Sequence, residues 1–309
     1  MMTNKALRLH RYGGIDSVEI DEIAEPTPLV GQILVEVMAA GINPLDWKIR
    51  DGLMRDDMQL VLPAVLGLEL SGRVLDANGH ETLRPGDRVM GPMGGVGAYV
   101  HLVALKAENL CRKPDFLNDG TAAGAPVAIQ TAHQVVAGMG DIDGRRLLIH
   151  GAGGSVGHYA VQMAAHGGAT VYATASLAAI DRIRQLGAWT VIDYRNERFE
   201  DRVQDIDGVI DLVGGDVLDR SWSIVRRGGM ILSTVVPDIA NRAPSHAKGR
   251  FLNMRCDGDE LARLVDDLVA GRLEALRPES YALEALPEAI ERNARGLSPG
   301  KMAVCIGAD

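Results

Sequence analysis

Cysteine is scarce. The 309 residues include three, Cys111, Cys256 and Cys305, widely separated and odd in number. That excludes a disulfide framework and predicts reduced thiols in a cytoplasmic protein. Long apolar runs are missing as well. No stretch reaches the roughly 18 residues of a membrane span, and residues 1–9 lack the apolar segment of a signal peptide. Basic charge is in deficit, with a formal net charge of -9. This argues against nucleic acid or an anionic membrane as partner, while leaving room for a local basic pocket. Aromatic residues make up 4% of the chain, which with the acidic balance speaks against RNA binding.

What is present is an ordinary globular composition, 47% hydrophobic and 24% charged, in a length that suits two domains. Three zones differ in rhythm. Residues 1–124 are rich in Gly, Pro and short apolar runs. Gln32–Val37 reads as a strand, Leu66–Leu75 as a strand interrupted by Gly67 and Gly72, and Arg84–Val89 as a turn entering a strand. This style predicts a small β-barrel. Residues 125–257 alternate strands with helices. Strands are expected at Leu147–His150, Thr170–Thr174, Thr190–Tyr194, Val209–Val213 and Met230–Thr234, and helices at Val156–Ala165 and Ile180–Leu186. Such alternation means βαβ units and a parallel sheet. Residues 258–309 return to the first style, with helices at Asp259–Gly271 and Leu286–Asn293 and a strand at Met302–Ile306. Fifty residues make a poor domain alone, so this tail is expected to complete the first zone.

The chemistry starts at Gly151-Ala152-Gly153-Gly154-Ser155-Val156-Gly157, directly between a strand and a helix. Ala152-x-Gly154-x-x-Gly157 is a dinucleotide fingerprint with Ala in the first slot. The first small residue permits the tight turn, Gly154 lets backbone approach a pyrophosphate, and Gly157 lets the helix pack on the sheet. Free N–H groups and the dipole at the helix N-terminus favour the phosphate charge. The second strand then ends Thr174-Ala175-Ser176, without the acid that holds an NAD ribose. That absence favours NADPH. Ser176, Arg182 and Tyr194 are candidate contacts to its 2′-phosphate, with Arg184 or Arg295 as alternatives. Ligands sit beyond the carboxyl ends of parallel strands. Hence Val213-Gly214-Gly215 should pass near the adenosine ribose or pyrophosphate, and Thr234-Val235 near the nicotinamide.

Further landmarks are Asn43-Pro44-Leu45-Asp46-Trp47-Lys48-Ile49-Arg50, Gly67-x-Glu69-x-x-Gly72, Pro85-Gly86-Asp87-Arg88-Val89, Thr131-Ala132, Leu186-Gly187-Ala188 and Gly300-Lys301. In their order and spacing the chain resembles, nearly end to end, the zinc-independent quinone oxidoreductases related to zeta-crystallin, within the medium-chain dehydrogenase/reductase superfamily. The resemblance implies a GroES-like β-barrel catalytic domain (1–124, completed by 258–309), a Rossmann NADP-binding domain with a doubly wound parallel sheet (125–257), an active-site cleft between them, and a homodimer. It places Asn43, Asp46 and Lys48 as catalytic candidates and Thr131 at the cofactor. It also places Phe251-Leu252-Asn253 near the nicotinamide amide and often at a subunit interface. Asp46 could equally cap a short helix near Trp47, and Lys48 stands where close relatives often carry Tyr.

Zinc members of the superfamily carry a Cys ligand where this chain has Asn43 and a His ligand where it has Leu68. The structural four-cysteine lobe is absent too, and the eight histidines show no close ligand spacing. A metal-free site is therefore expected. The function implied is hydride transfer from NADPH to quinones or related electrophilic carbonyl compounds. A reductase of enone or alkenal double bonds is the neighbouring alternative. A non-catalytic NADPH-binding interaction protein is the alternative of another class.

Overall fold

The computed structural model describes residues 4–298 and 300–307. Two compact units emerge. One holds the chain up to Val127, Cys256–Ala270 and everything from Ala275 onward; the other holds Ala128–Arg255 and Gly271–Glu274.

The first unit is built on strands β1 (Asn4–Leu9), β2 (Val18–Ile23), β3 (Gln32–Ile42), β4 (Ala64–Val65), β5 (Glu69–Asp76), β6 (Arg88–Pro92), β7 (Leu102–Lys106) and β8 (Cys111–Arg112). Helices α1 (Pro44–Arg50) and α2 (Asp119–Gly124) interrupt them, and α3 (Pro126–Gly138) leads into the second unit. β3 alternates buried and half-exposed residues along most of its length, so Ile33, Val35 and Val37 face the core while Gln32, Leu34 and Glu36 do not. The strand expected at Leu66–Leu75 begins only at Glu69. Gly67 stands at φ +94°, and its carbonyl accepts from the N–H groups of Gly97 and Ala98 instead of joining the ladder.

The second unit alternates β9 (Arg146–His150), α4 (Ser155–His166), β10 (Thr170–Ala175), α5 (Ile180–Gln185), β11 (Thr190–Asp193), β12 (Ile206–Asp211), α6 (Gly215–Ser221), β13 (Val225–Ser233), α7 (Ile239–Arg242) and β14 (Lys248–Phe251). All the pairings in its sheet are parallel, in the order β11-β10-β9-β12-β13-β14. In order of appearance that is 3-2-1-4-5-6, the Rossmann arrangement, with its topological switch between β9 and β12. β9, β10 and β12 are buried almost throughout, which explains the apolar Leu147–Ile149, Val171–Ala173 and Val209–Ile210 at their centres.

The chain then returns to the first unit with α8 (Gly258–Val269), β15 (Glu279–Ala282), α9 (Leu286–Ala294) and β16 (Met302–Cys305). β16 pairs antiparallel with β3 and parallel with β15, extending the sheet β15-β16-β3-β5-β6-β8. Leu286, Ile290, Met302 and Val304 enter the same apolar core as Val35, Leu70 and Val89.

Candidate active site

In the second unit the sequence leaves β9 through Gly151 at φ +75° and enters α4 with Gly154 as its N-cap. The Gly154 N–H closes the turn on the Gly151 carbonyl at 3.0 Å, and the Ala152 N–H donates to Thr174 at 3.0 Å. Two glycines here serve different ends. A Cβ on Gly157 would lie 2.5 Å from both Ala152 Cα and the Gly151 carbonyl oxygen, so the close packing of α4 on the turn forbids a side chain. A Cβ on Gly154 would meet one atom, the Gly151 oxygen at 3.4 Å, which is ordinary contact. The fold does not require glycine at 154; the open space before it is a cradle that a side chain would fill. Ser155 and Val156 open the first turn of α4. Their N–H groups belong to the orphan donors that every helix start leaves.

The next strand ends surround this turn. Ser176 follows β10, and its hydroxyl has no protein partner among the described residues. Tyr194 lies just past β11 and is exposed, with the Arg195 guanidinium 5.7 Å from its ring. Leu177, just past β10, and Val213, just past β12, are exposed as well. Arg182 supports the turn from behind. Its guanidinium donates to the Gly153 carbonyl at 2.9 Å and to His158 Nδ1 at 3.0 Å. His158 Nε2–H donates to the Glu274 carbonyl at 2.8 Å, which leaves Nδ1 as acceptor and the ring neutral. Burial, with Arg182 nearby, lowers the His158 pKa to about 4. Arg184 pairs with Asp181, and Arg295, in the other unit, with Glu291.

At the switch, Asp211 closes β12 fully buried. Its Oδ1 accepts from the N–H groups of Val213 and Gly214 at 3.1 and 2.8 Å, and its Oδ2 from the Ser233 hydroxyl at 2.7 Å. Ser233 Oγ in turn accepts from the N–H groups of Val235 and Val236 at 3.1 Å. One carboxylate thus ties the loop after β12, with Gly214 and Gly215 at positive φ, to the loop holding Thr234 and Val235. Leu252 N–H donates to the Ser233 carbonyl at 2.9 Å, which sets Phe251-Leu252-Asn253 beside that loop. Thr131 is buried on α3. Beside the turn, buried His150 bridges Thr174 at 3.0 Å and Ser221 at 2.9 Å, and burial lowers its pKa to about 3.

The first unit contributes a polar cluster of a different kind. Asn43 is the N-cap of α1, and Asp46 stands at its N3 position, where Oδ2 accepts the Asn43 N–H at 2.7 Å. Asp46 thus braces the start of the helix from its first turn without being the N-cap itself. Oδ2 also accepts the Tyr99 hydroxyl at 2.8 Å, whereas Oδ1 is buried with no partner. Burial pushes the Asp46 pKa up to about 7. The Lys301 ammonium donates to Asn43 Oδ1 at 2.7 Å and to Glu69 Oε1 at 2.6 Å. Asn43 Nδ2 donates to that same Glu69 oxygen at 2.9 Å, and Glu69 Oε2 accepts the Val127 N–H at 2.7 Å. Both ends of the Asn43 amide are therefore used inside the protein. Lys48 is half-exposed, its ammonium 5.7 Å from the Trp47 ring. Of the three candidates on this segment it alone is not buried, and its ammonium has no hydrogen bond or ion pair among the described residues. Glu69, Tyr99, Lys301, Asp211 and Ser233 were not singled out as site residues from sequence. The available signal was a charged residue inside or beside an apolar strand, as in Leu66-Gly67-Leu68-Glu69-Leu70 and Lys301-Met302-Ala303-Val304.

Residues 30–171 match the alcohol dehydrogenase GroES-like domain, and residues 186–304 match the zinc-binding dehydrogenase family. The chain is similar over 99% of its length to the quinone oxidoreductase of Coxiella burnetii, with TM-score 0.92, 29% identity and all of that chain covered. It is similar to an alcohol dehydrogenase superfamily protein of Novosphingobium aromaticivorans at 30% identity, covering 99% of this chain and 100% of that one, with TM-score 0.82. The chain belongs to the medium-chain dehydrogenase/reductase family. Within the family, the Escherichia coli quinone oxidoreductase solved with NADPH is 25% identical, covering 97% of this chain and 99% of that one, with TM-score 0.85. The 2-methylene-furan-3-one reductase of Solanum lycopersicum is 29% identical over 97% of this chain and 78% of its own.

The family description names zinc, and the residues around Asn43 do not fit it. Zinc takes thiolate, imidazole or carboxylate ligands. Here Asn43 offers an amide, Leu68 an alkyl chain, and Glu69 a carboxylate already bound to the Lys301 ammonium. Elsewhere among the described residues His10, Glu19 and Asp21 come together, but the Arg8 guanidinium sits on Asp21 at 3.2 Å and makes this a surface ion-pair group.

Proposed function

We propose that the protein is an NADPH-dependent, zinc-independent reductase that transfers hydride to quinones or related electrophilic carbonyl compounds. The observation that carries this reading is the cradle at Gly154, open where the fold itself has no need of glycine, at the switch of a Rossmann sheet. Its shape and its orphan helix donors fit a pyrophosphate. The lack of an acid after β10, and the unpartnered Ser176 hydroxyl, favour a 2′-phosphate over a free ribose hydroxyl. Exposed Leu177, Tyr194 and Val213 supply apolar surface for an adenine, and Arg195 is a further cation at that rim. Phe251-Leu252-Asn253, Thr131, Thr234 and Val235 are the candidate contacts to the nicotinamide half.

When bound, the nicotinamide supplies the hydride. The protein's task is to hold and orient, and to stabilise charge on the acceptor. Lys48, whose ammonium makes no hydrogen bond or ion pair among the described residues, is the candidate to meet a developing oxyanion. Asn43 and Asp46 act as positioning residues. Lys301 and Glu69 lock the Asn43 amide, and Asp46 ties the first turn of α1 to Tyr99. Lys301 supplies inside this cluster the positive charge that a metal would otherwise bring, which supports zinc-independence. The enone or alkenal reductase reading uses the same groups, and the tomato relative favours keeping it. Three unpaired cysteines, one of them exposed, suit a reducing cytoplasm. β14, an edge strand with no second strand partner among the described residues, suits a homodimer.

The test is NADPH oxidation over a panel of quinones, enones and aldehydes. We expect quinone turnover with a lower KM for NADPH than for NADH. Binding of NADPH without turnover of any acceptor would instead favour a non-catalytic role.

A further inference from the structure

Parallel strands put their amino ends together at the sheet end opposite the glycine turn. There the second unit has a hollow of about 190 Å³. Its floor follows one register row, Leu147–Gly208–Met230–Lys248, across β9, β12, β13 and β14. Gly208 contributes no side chain to that row. Met139, at the end of α3, fills part of the gap, its sulfur 3.0 Å from where a Gly208 Cβ would stand. The exposed lining is therefore mixed, apolar at Met139, Leu147 and Met230 and polar around them.

The rim is cationic. Arg145, Arg226 and Lys248 all line the hollow, against one acid, Asp207. Asp207 is already committed: Oδ1 binds Arg226 Nε at 2.5 Å and Oδ2 accepts the Arg146 N–H at 2.8 Å. The side chains of Arg145 and Lys248 have no partner among the described residues. Two positive charges thus stand uncompensated beside the apolar side chains of Met139, Leu147 and Met230, in a chain of net charge -9. The backbone holds this rim in place. β12 and β13 shift register between Ile206–Val225 and Gly208–Met230, which leaves residues 226–229 opposite Asp207 alone. Gly228, at φ +80°, pins the bulge through its N–H to the His246 carbonyl at 2.7 Å. Bulges of this sort re-aim side chains and recur beside binding sites.

We propose that this hollow binds a small organic oxyanion, a carboxylate or phosphate head on a short apolar body. Arg145 and Lys248 take the head, and Met139, Leu147 and Met230 take the body. Charge decides the sign of the ligand, because no acid remains to compete. The floor decides that the ligand is organic, because a bare inorganic anion leaves those side chains uncovered.

Methyl-labelled methionine in the full-length protein gives the test. Benzoate, phenyl phosphate and inorganic phosphate are titrated at fixed ionic strength while the Met139 and Met230 methyl resonances are followed. We expect saturable shifts at both methyls with benzoate or phenyl phosphate, with Kd on the order of 1 mM, and weaker binding of inorganic phosphate. The better of the two aromatic probes tells which head the site prefers. In the Arg145→Gln/Lys248→Gln variant, affinity should fall about tenfold or more while NADPH affinity stays unchanged. Shifts that grow linearly without saturation, or that are equally large in the variant, would overturn the proposal. Either result leaves the reading of the glycine turn untouched.

Discussion

The two units build their candidate sites by opposite means. The second unit uses backbone and missing side chains: a turn, a helix start and glycines. The first unit uses side chains, five polar ones buried together, with an ion pair between residues 69 and 301. A site made of backbone fails wherever an added side chain fills the space that the ligand or the helix must occupy. A site made of buried side chains withstands small changes of volume but not the loss of a partner.

The largest expected effects break this comparison at its centres. Gly157→Val drives a side chain into backbone atoms 2.5 Å away and should cost about 3 kcal/mol or more, with NADPH binding lost, measured by denaturant unfolding and calorimetry. Gly154→Asp should leave unfolding nearly unchanged yet abolish NADPH binding. If both variants lose stability equally, the distinction between a packing glycine and a binding glycine fails. Lys301→Met strips the partner from a buried carboxylate and should cost about 3–5 kcal/mol. Lys301→Met/Glu69→Gln should recover part of that loss, because no uncompensated charge remains.

A smaller effect separates the units by pH. Asp46 holds its proton more tightly folded than unfolded, its pKa rising from 3.8 to about 7. Its contribution is therefore full below 3.8 and is lost as pH rises through 7. His150 and His158 go the other way, from 6.5 to about 3 and about 4. Their contribution is present above 6.5 and is lost as pH falls toward those values. Hydrogen exchange of core amides should show the second unit weakening in acid. Asp46→Asn should remove from the first unit a slope of at most about 1.4 kcal/mol per pH unit between pH 4 and 7. Smallest of all, Arg295→Ala breaks a partly exposed pair at the C-terminal end of α9 and should leave stability and NADPH binding unchanged within error.

What the sequence shows follows the same division. The glycine turn is contiguous, and its strand–turn–helix setting spans about twenty residues, so its pattern is visible in one dimension. β9 and β12 are buried on both faces, so their apolar runs stand out. The cluster of Asn43, Asp46, Glu69, Tyr99 and Lys301 has no such periodicity. Its Lys301–Asn43 bond joins residues 258 positions apart, and only the folding of β16 onto β3 brings them together. Asn43 and Asp46 were visible through family spacing, yet their roles were not. Their amide and carboxyl groups turn inward, which side-chain chemistry alone does not reveal. β14 is not legible in the sequence because its four residues, Lys-Gly-Arg-Phe, show no apolar run at a sheet edge.

The proposed function makes two separate demands: NADPH on the backbone cradle of the second unit, and catalysis without a metal at the lysine-filled cluster of the first. Steady-state quinone reduction after exhaustive chelation tests it most directly. We expect turnover with NADPH to survive chelation unchanged and NADPH to be preferred over NADH. Activity lost on chelation and restored by zinc, or a preference for NADH, would contradict the account.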